Sequence, residues 1–476
     1  MRRCIRSLTS MLHKFTVQKF PTQRLQDILP FLRHFTTLLA CGNNVNHEAK
    51  KTIAVTGSIS PGQQVRVLVV SQNLYLSSSM KGISLKVMMT DPPSSGLADH
   101  IADVWAALSS FDVYATDSGD QRVSLELFLL SRSYQKFTIR FKKHIRLCGG
   151  KQLLDIPRKW VNPSKWLLCL YGLLAIKSRV VNGQLEWEFS DDTKGAWSII
   201  LAVLLRRMDC TIENVKSAKE EMGKKGEDKS LLTKTNMVAS ITAVFTPEKS
   251  AGVADNTDDD FVGLQQEWGE SKGEQIYRYL KTVVAEHAAV DYLCTVPLPE
   301  LLNNIEIGLI EVPRSPSSVL TRREITEEFF VRYPHMTEDR QDVVEALEAH
   351  YSDTFSDCVH AEATLMGLVN YYNHDLVHEI HSTGIKNQDM VRRIIQPVVD
   401  AEEAMITVSK MCCWCCDWLG QHLTTHFVLP GTHGIMYPWD PPKFGVSVSV
   451  LRRLERELWR SLSSHLSPNI NTRPHS

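Results

Sequence analysis

The sequence predicts an α/β protein, with a layered C-terminal domain of alternating helices and strands preceded by a larger α+β region. Three observations lead there. The C-terminal third reads helix, strand, helix, strand, helix, an order that a sheet covered by helices satisfies. Between residues 52 and 143 short apolar runs recur with Gly, Pro and Ser between them, which is the punctuation of strands. The 476 residues are 43% hydrophobic and 22% charged, an ordinary globular balance, so sizeable cores can be buried and global disorder is excluded. At about 150 residues per domain, this length calls for two or three folding units.

Residues 1–50 read as a basic arm. Arg2, Arg3, Arg6, Lys14, Lys19 and Arg24 come before any acid. That is the charge bias of a mitochondrial presequence, but no clear amphipathic stripe accompanies it, so a frayed arm is preferred and mitochondrial targeting is the alternative. Residues 51–215 form the α+β region. Arg66-Val67-Leu68-Val69-Val70 and Val123-Ser124-Leu125-Glu126-Leu127 predict strands, and 160–208 reads as helical hairpin material around an Asn182-Gly183 turn. Residues 216–262 are a charged linker. A mixed-charge run fills 216–229, and Pro247, Gly252 and Asp258-Asp259-Asp260 mark a second solvated stretch. Residues 263–344 are helical, with Tyr277, Leu280, Val284 and Ala288 at three-to-four spacing and Thr337 as cap of a helix running to Tyr351.

The last unit is placed at 345–476. Ala361, Leu365, Leu368 and Tyr372 make one apolar stripe, which predicts a helix from 359 to about 372. Residues 405–408 read as a buried strand, a short helix starts near Cys412, and 427–429 is a second strand ended by Pro430-Gly431. After Pro441-Pro442, Val450, Leu454, Leu458 and Leu462 form a helical stripe opposite Arg452, Arg453, Arg456 and Arg460, whose interleaved Glu455 and Glu457 point to an ion-paired face.

Several function classes are disfavoured. The 54 acidic and 53 basic residues cancel, so the chain as a whole has no electrostatic footprint for nucleic acid or an anionic membrane. The longest apolar stretches, 166–176 and 196–205, are about half of the ~20 residues needed to cross a bilayer, and no membrane partner is expected. A secretory signal is not visible. The expected compartment is therefore intracellular and reducing, cytoplasmic or nuclear, where thiols stay free. Four of the eleven cysteines, Cys412, Cys413, Cys415 and Cys416, crowd into one window where neighbours cannot pair without strain, which points to metal.

The chemistry lies in Cys358-Val359-His360-Ala361-Glu362, which opens a helix, and Ser409-Lys410-Met411-Cys412-Cys413-Trp414-Cys415-Cys416, which joins a strand to another helix. This is H-x-E followed by C-x-x-C. One imidazole and two thiolates leave a fourth zinc position for water, and a carboxylate that is not a ligand stands beside it. Cysteines three apart share a helix face, and a helix N-terminus favours the thiolate. His360 and Glu362 lie about 200° apart around an ideal helix, so they converge only at its mouth. Both Cys412 with Cys415 and Cys413 with Cys416 satisfy the spacing. His374, His378 and His381 have no matched partner and read as a solvated helix end, and Cys358 reads as packing.

Residues from about 345 to 462 resemble the OTT-like deaminase family of fungi and intracellular bacteria, a branch of the cytidine deaminase-like superfamily. The resemblance rests on Val359-His360-Ala361-Glu362, on Ser409-Lys410 before the cysteine pair, and on the strand leading to Gly431-Thr432-His433-Gly434. It implies a cytidine deaminase-like α/β/α fold with both motif helices packed on a central sheet, and hydrolytic removal of an amine from a nucleobase in a nucleotide or nucleic acid. Placement of the first ligand four residues after the serine of Ser-Lys selects Cys413 and Cys416. The proline that commonly precedes the pair is absent, with Met411 or Cys412 in its place, and an extra helix around 387–399 is expected to fill the wide gap.

Zinc held by His360, Cys413 and Cys416 would lower the pKa of bound water towards 7, with Glu362 as proton shuttle and hydroxide as nucleophile. His433, Tyr437 and Trp439 are the candidates for a base pocket, set against ordinary packing in a Pro-rich turn. The rival expectation is a catalytically silent structural zinc module, closed by a fourth ligand from Cys412, Cys415 or Cys358.

Overall fold

The computed structural model describes residues 1–15, 30–40, 52–59, 65–72, 84–87, 97–147, 178–181, 184–187, 202, 272–295, 305–312, 318–353, 355, 359–373, 385–401, 403–432 and 434–471. Both linker stretches, His433, Cys358, His374, His378 and His381 lie outside them. The chain divides into two compact units, one of Met1–Thr36, Lys51–Asp103 and Pro299–Ser476, the other of Thr37–Lys50 and Val104–Leu298.

The first unit is built on a mixed sheet. Its strands are β1 (Ile53–Ile59), β2 (Val65–Gln72), β3 (Ser84–Val87), β6 (Glu306–Glu311), β7 (Ala404–Val408) and β8 (Phe427–Val428), in the order β3-β6-β2-β1-β7-β8. β1 pairs antiparallel with β2 and β7, and β3 antiparallel with β6, while β2–β6 and β7–β8 are parallel. The run Val67-Leu68-Val69-Val70 is apolar at every position because helices cover both faces of the sheet. Val67 and Val69 face a core shared with Ala54, Ile310, Ala404 and Ile406. On the other face Thr407 Oγ1 donates to Leu32 O of α2 (Pro30–Leu39), and its hydroxyl meets that of Thr36.

Two helices fill the shared core. Helix α8 (Ala361–Asn373) packs on β1, β2 and β7, and α9 (Gln388–Val399) on β1, β2 and β6. Every residue of α8 from Ala361 to Tyr372 is buried, so its sequence is apolar nearly all round rather than along one stripe. The expected gap-filling helix at 387–399 is α9. The expected strand at 427–429 is β8, and the short helix after the cysteines is α10 (Trp414–His422). The last helix, α11 (Val448–Asn471), buries Leu454, Leu458 and Leu462 as the stripe requires and exposes Arg452, Arg453, Arg456 and Arg460.

Two expectations about the first unit need correction. Residues 2–14 are not a frayed arm but helix α1 (Arg2–Lys14), which packs against α11 and buries Cys4, Ile5, Leu8, Met11 and Leu12. These fall at i, i+1, i+4, i+7 and i+8, an apolar stripe interrupted by Ser7, Thr9 and Ser10, which the helix also buries. Moreover, the unit holding 345–476 does not begin at 345. The centre of its sheet is β1 and β2, and α6 (Arg322–Arg332) and α7 (Arg340–His350) belong to it as well. Thr337 ends a short 3₁₀ turn, and the α7 cap position is Asp339.

A glycine-dependent close approach and an asparagine side chain hold the stretch before α11 against α8. Gly445 has φ 64°, and a Cβ there would lie 1.7 Å from the Gly367 carbonyl oxygen. Asn370 Nδ2 donates to Gly445 O at 2.7 Å, and Asn370 Oδ1 accepts from the Thr425 amide at 3.0 Å. Gly445→Ala is expected to cost about 2–6 kcal/mol, the sum of left-handed strain and a backbone clash, read as a lowered urea midpoint.

In the second unit α4 (Ser118–Leu147) packs against α5 (Lys272–Thr295), and β4 (Ser178–Val181) pairs antiparallel with β5 (Gln184–Trp187), Val181 opposite Gln184. β4 and β5 lie on either side of Asn182-Gly183, within the range expected as helical hairpin; the rest of 160–208 lies outside the described residues except Ala202, which is helical. The strand expected at 123–127 lies inside α4. Burial follows Leu125, Leu129, Leu130 and Ser133, a helical period, and Val123 is exposed, so the alternation of Val123, Leu125 and Leu127 misleads. No helix among the described residues is long and apolar enough to cross a membrane.

Candidate metal centre

Two helix N-termini meet over the sheet. His360 stands immediately before α8, where its carbonyl accepts the Thr364 amide at 2.9 Å and starts the helix. Glu362 is in the first turn of α8. From the other side, Cys413 is the N-cap of α10, with extended backbone angles that turn the chain from β7 into the helix, and its sulfur accepts the Cys416 amide at 3.4 Å. A sulfur in the usual place of a Ser or Asp cap still satisfies an orphan helix donor. The cysteine turn is pinned from below by the segment after β8. The Cys412 amide donates to Gly431 O at 3.1 Å, the Thr432 hydroxyl to Cys412 O at 2.9 Å, and the Trp414 amide to Ile435 O at 2.9 Å.

The side chains converge. His360 Nδ1 lies 3.4 Å from Cys413 Sγ, 3.5 Å from Cys416 Sγ and 3.9 Å from Glu362 Oε1. One ligand atom from each of the four residues falls within 4.8 Å of all the others. Bond lengths of about 2.1 Å to nitrogen and 2.3 Å to sulfur at tetrahedral angles give N···S edges of about 3.6 Å, so the observed separations are those of ligands around one small cation. His360 is 7% exposed and Glu362 2%, and Glu362 Oε2 has no hydrogen-bond partner among the described residues. A carboxylate oxygen left unpaired in a buried site is costly unless the site holds something for it to bind. The donor set and this orphaned oxygen fit a divalent, sulfur-tolerant metal such as zinc.

The thiols differ in their protonation. Burial pushes Cys413 up, but the hydrogen bond from Cys416 and the charge and hydrogen bond of His360 outweigh it, bringing Cys413 down to about 6. Cys416 rises through burial and through donating its proton to Cys413. Of the two sulfurs, Cys413 is the one its surroundings favour as thiolate. Cys412 and Cys415 are also fully buried, and burial raises both well above an ordinary thiol.

Residues 359–443 match the model of the OTT_1508-like deaminase family. This segment is similar to that family. No curated protein and no solved structure matches the chain. The deaminase segment carries all four clustered residues, and with its His/Cys-rich centre it is a deaminase-like module with a candidate metal site. It ends before α11 and omits β1, β2 and α1, which complete the fold around it.

Of the other residues singled out in the sequence, Trp439 is fully buried and its indole nitrogen donates to Cys416 Sγ at 3.2 Å. It has no exposed face on which a base could stack, so the expected stacking role does not suit it. Tyr437 is partly exposed and tilted against His13 of α1 at 5.2 Å. His433 lies outside the described residues. Sequence reasoning missed Thr9, Arg6 and Asp440, which surround Trp439 from outside the motifs. The signal for Thr9 and Arg6 is the apolar stripe of α1, which places residues 2–14 against the domain.

Proposed function

We propose that this chain is a zinc-dependent hydrolytic deaminase acting on an amino-bearing nucleobase, in a nucleotide or a nucleic acid. The observation that carries this reading is the cluster of His360, Cys413 and Cys416 around one point, with Glu362 Oε2 beside it and without a hydrogen-bond partner among the described residues. The family match of residues 359–443 supports the reaction class.

His360 through Nδ1, with Cys413 and Cys416 through sulfur as thiolates, would hold the zinc. Bound there, zinc supplies Lewis acidity that makes water nucleophilic near neutral pH. Glu362 Oε2 takes a proton from that water as its oxygen adds to the amino-bearing ring carbon, and delivers it to the adjacent ring nitrogen. A second transfer through the same carboxylate protonates the leaving amine, so that base and water become carbonyl and ammonia. Burial of Glu362 keeps bulk water from competing for these protons. Tyr437, with its partly exposed ring, and His433 are the proposed base contacts.

The decisive experiment is a mass-spectrometric screen of zinc-loaded protein against cytosine, adenine and guanine as bases, nucleosides, nucleotides and single-stranded oligonucleotides, with ammonia assayed in parallel. We expect one class of substrate to exchange amine for carbonyl. No conversion in any class, together with X-ray absorption showing four protein ligands on the zinc, would establish the silent structural module instead.

A further inference from the structure

Trp439 occupies a place that packing alone does not explain. A buried indole N–H needs a hydrogen-bond acceptor. Here the acceptor is Cys416 Sγ, at 3.2 Å, rather than a backbone carbonyl. The Trp439 backbone is held in turn by α1, since its amide donates to Thr9 Oγ1 at 3.0 Å. On either side of it, α1 grips the same stretch of chain. Arg6 Nε donates to Asp440 Oδ1 at 2.7 Å in a largely buried ion pair, and the two terminal nitrogens of Arg2 donate to the carbonyls of Pro441 and Pro442, each at 2.7 Å. His13 Nδ1 lies 2.9 Å from Met436 O.

We infer that Trp439 is a positioning residue for the metal ligand Cys416, and that α1, outside the matched deaminase segment, holds Trp439 in register through Thr9, Arg6 and Arg2. The inference rests on the zinc reading above. Groups that hydrogen-bond to a metal ligand orient it and tune how strongly it donates. An N–H directed at a thiolate withdraws electron density from the sulfur and fixes the side-chain rotamer. Both effects concern the cation more than the stability of the fold. α1 contributes no ligand atom to the cluster, so its grip reaches the metal only through the segment that carries Trp439.

The test uses the full chain with Co²⁺ in place of zinc, because the sulfur-to-cobalt charge-transfer band reports the electron density on the thiolates. In Trp439→Phe the band is expected to move to lower energy, and zinc affinity, measured by competition with a chromogenic chelator, to fall about 10–100-fold. Arg6→Met leaves the indole in place and should weaken zinc in the same direction by a smaller factor, with the band position between the two. If wild-type and Trp439→Phe proteins share one band and one affinity, the positioning role is overturned while the zinc reading stands. If the wild-type protein takes up no Co²⁺ with a thiolate band, the zinc reading fails and this inference falls with it. Should Trp439→Phe not fold, as judged by circular dichroism, Arg6→Met and Thr9→Val decide the matter. An unchanged band and affinity in both would overturn the inference.

Discussion

Glu362→Gln should keep its metal and its fold and lose turnover. The substitution is isosteric and alters one group of a residue that is 2% exposed, whose Oε2 has no hydrogen-bond partner among the described residues. If Glu362 relays protons and does not bind zinc, the three remaining donors still grip the cation, and zinc content should stay near one per chain. Turnover on the substrate found by the screen should fall by ~10²–10⁴-fold, the usual worth of general acid–base catalysis, and towards the upper end for a carboxylate used more than once. KM should change little, because the amide occupies the same space. Two results would refute the assignment. Loss of zinc with the fold intact would make the carboxylate a fourth ligand, consistent with its 3.9 Å separation from His360 Nδ1 and with a closed structural site. Undiminished turnover would place the proton relay on another residue.

The candidate site was legible because its chemistry is local. His360 with Glu362, and Cys413 with Cys416, sit within one helical turn of each other, and the requirement that each pair open a helix is visible in the flanking apolar spacing. The elements around them were legible for the same reason. α8, β7, α10 and the stripe of α11 all show a period long enough to read. What was not legible depends on contacts distant in sequence. β1 lies beside β7 although more than 300 residues separate them, and no pattern in 53–59 announces that neighbour. α1 was missed because its charges are conspicuous, whereas its apolar residues are diluted by buried Ser7, Thr9 and Ser10. Two of those hydroxyls have specific work, since Ser7 Oγ accepts the Leu320 amide and Thr9 Oγ1 that of Trp439. Trp439 is ambiguous in the sequence for a related reason. An aromatic after a strand reads equally as a stacking platform or as core, and only the position of Cys416 decides between them.

The matched segment and the folded unit are therefore different objects. Residues 359–443 contain the four clustered side chains, but the sheet beneath α8 takes its central strands from 53–72, and the stretch bearing Trp439 is held by residues 2–13. A fragment limited to the matched segment would expose the α8 and β7 surfaces that β1 covers, so activity and metal binding belong to tests on the full chain.

Cys413→Ser and Cys416→Ser should each reduce zinc content from about one per chain to near zero, while Cys412→Ser and Cys415→Ser retain it. All four thiols are buried, so burial does not separate them. Geometry does. His360 Nδ1 is within 3.5 Å of Cys413 and Cys416, whereas neither Cys412 nor Cys415 joins the ligand cluster. A serine at 413 or 416 replaces a soft thiolate with a hard, protonated hydroxyl that binds zinc far more weakly, leaving only two protein donors to hold the ion. At 412 or 415 the cost falls on stability, because a hydroxyl enters an apolar site, at about 1–3 kcal/mol if it finds no partner. The two classes should thus separate on two axes: metal content of folded protein by elemental analysis, and unfolding midpoint of the metal-free forms. Serine at 413 or 416 should empty the site with a modest change in the metal-free midpoint, and serine at 412 or 415 should lower that midpoint with the site still filled. The opposite pattern would shift the ligand register by one residue, and retention of zinc in all four variants would remove the cysteines from the metal altogether.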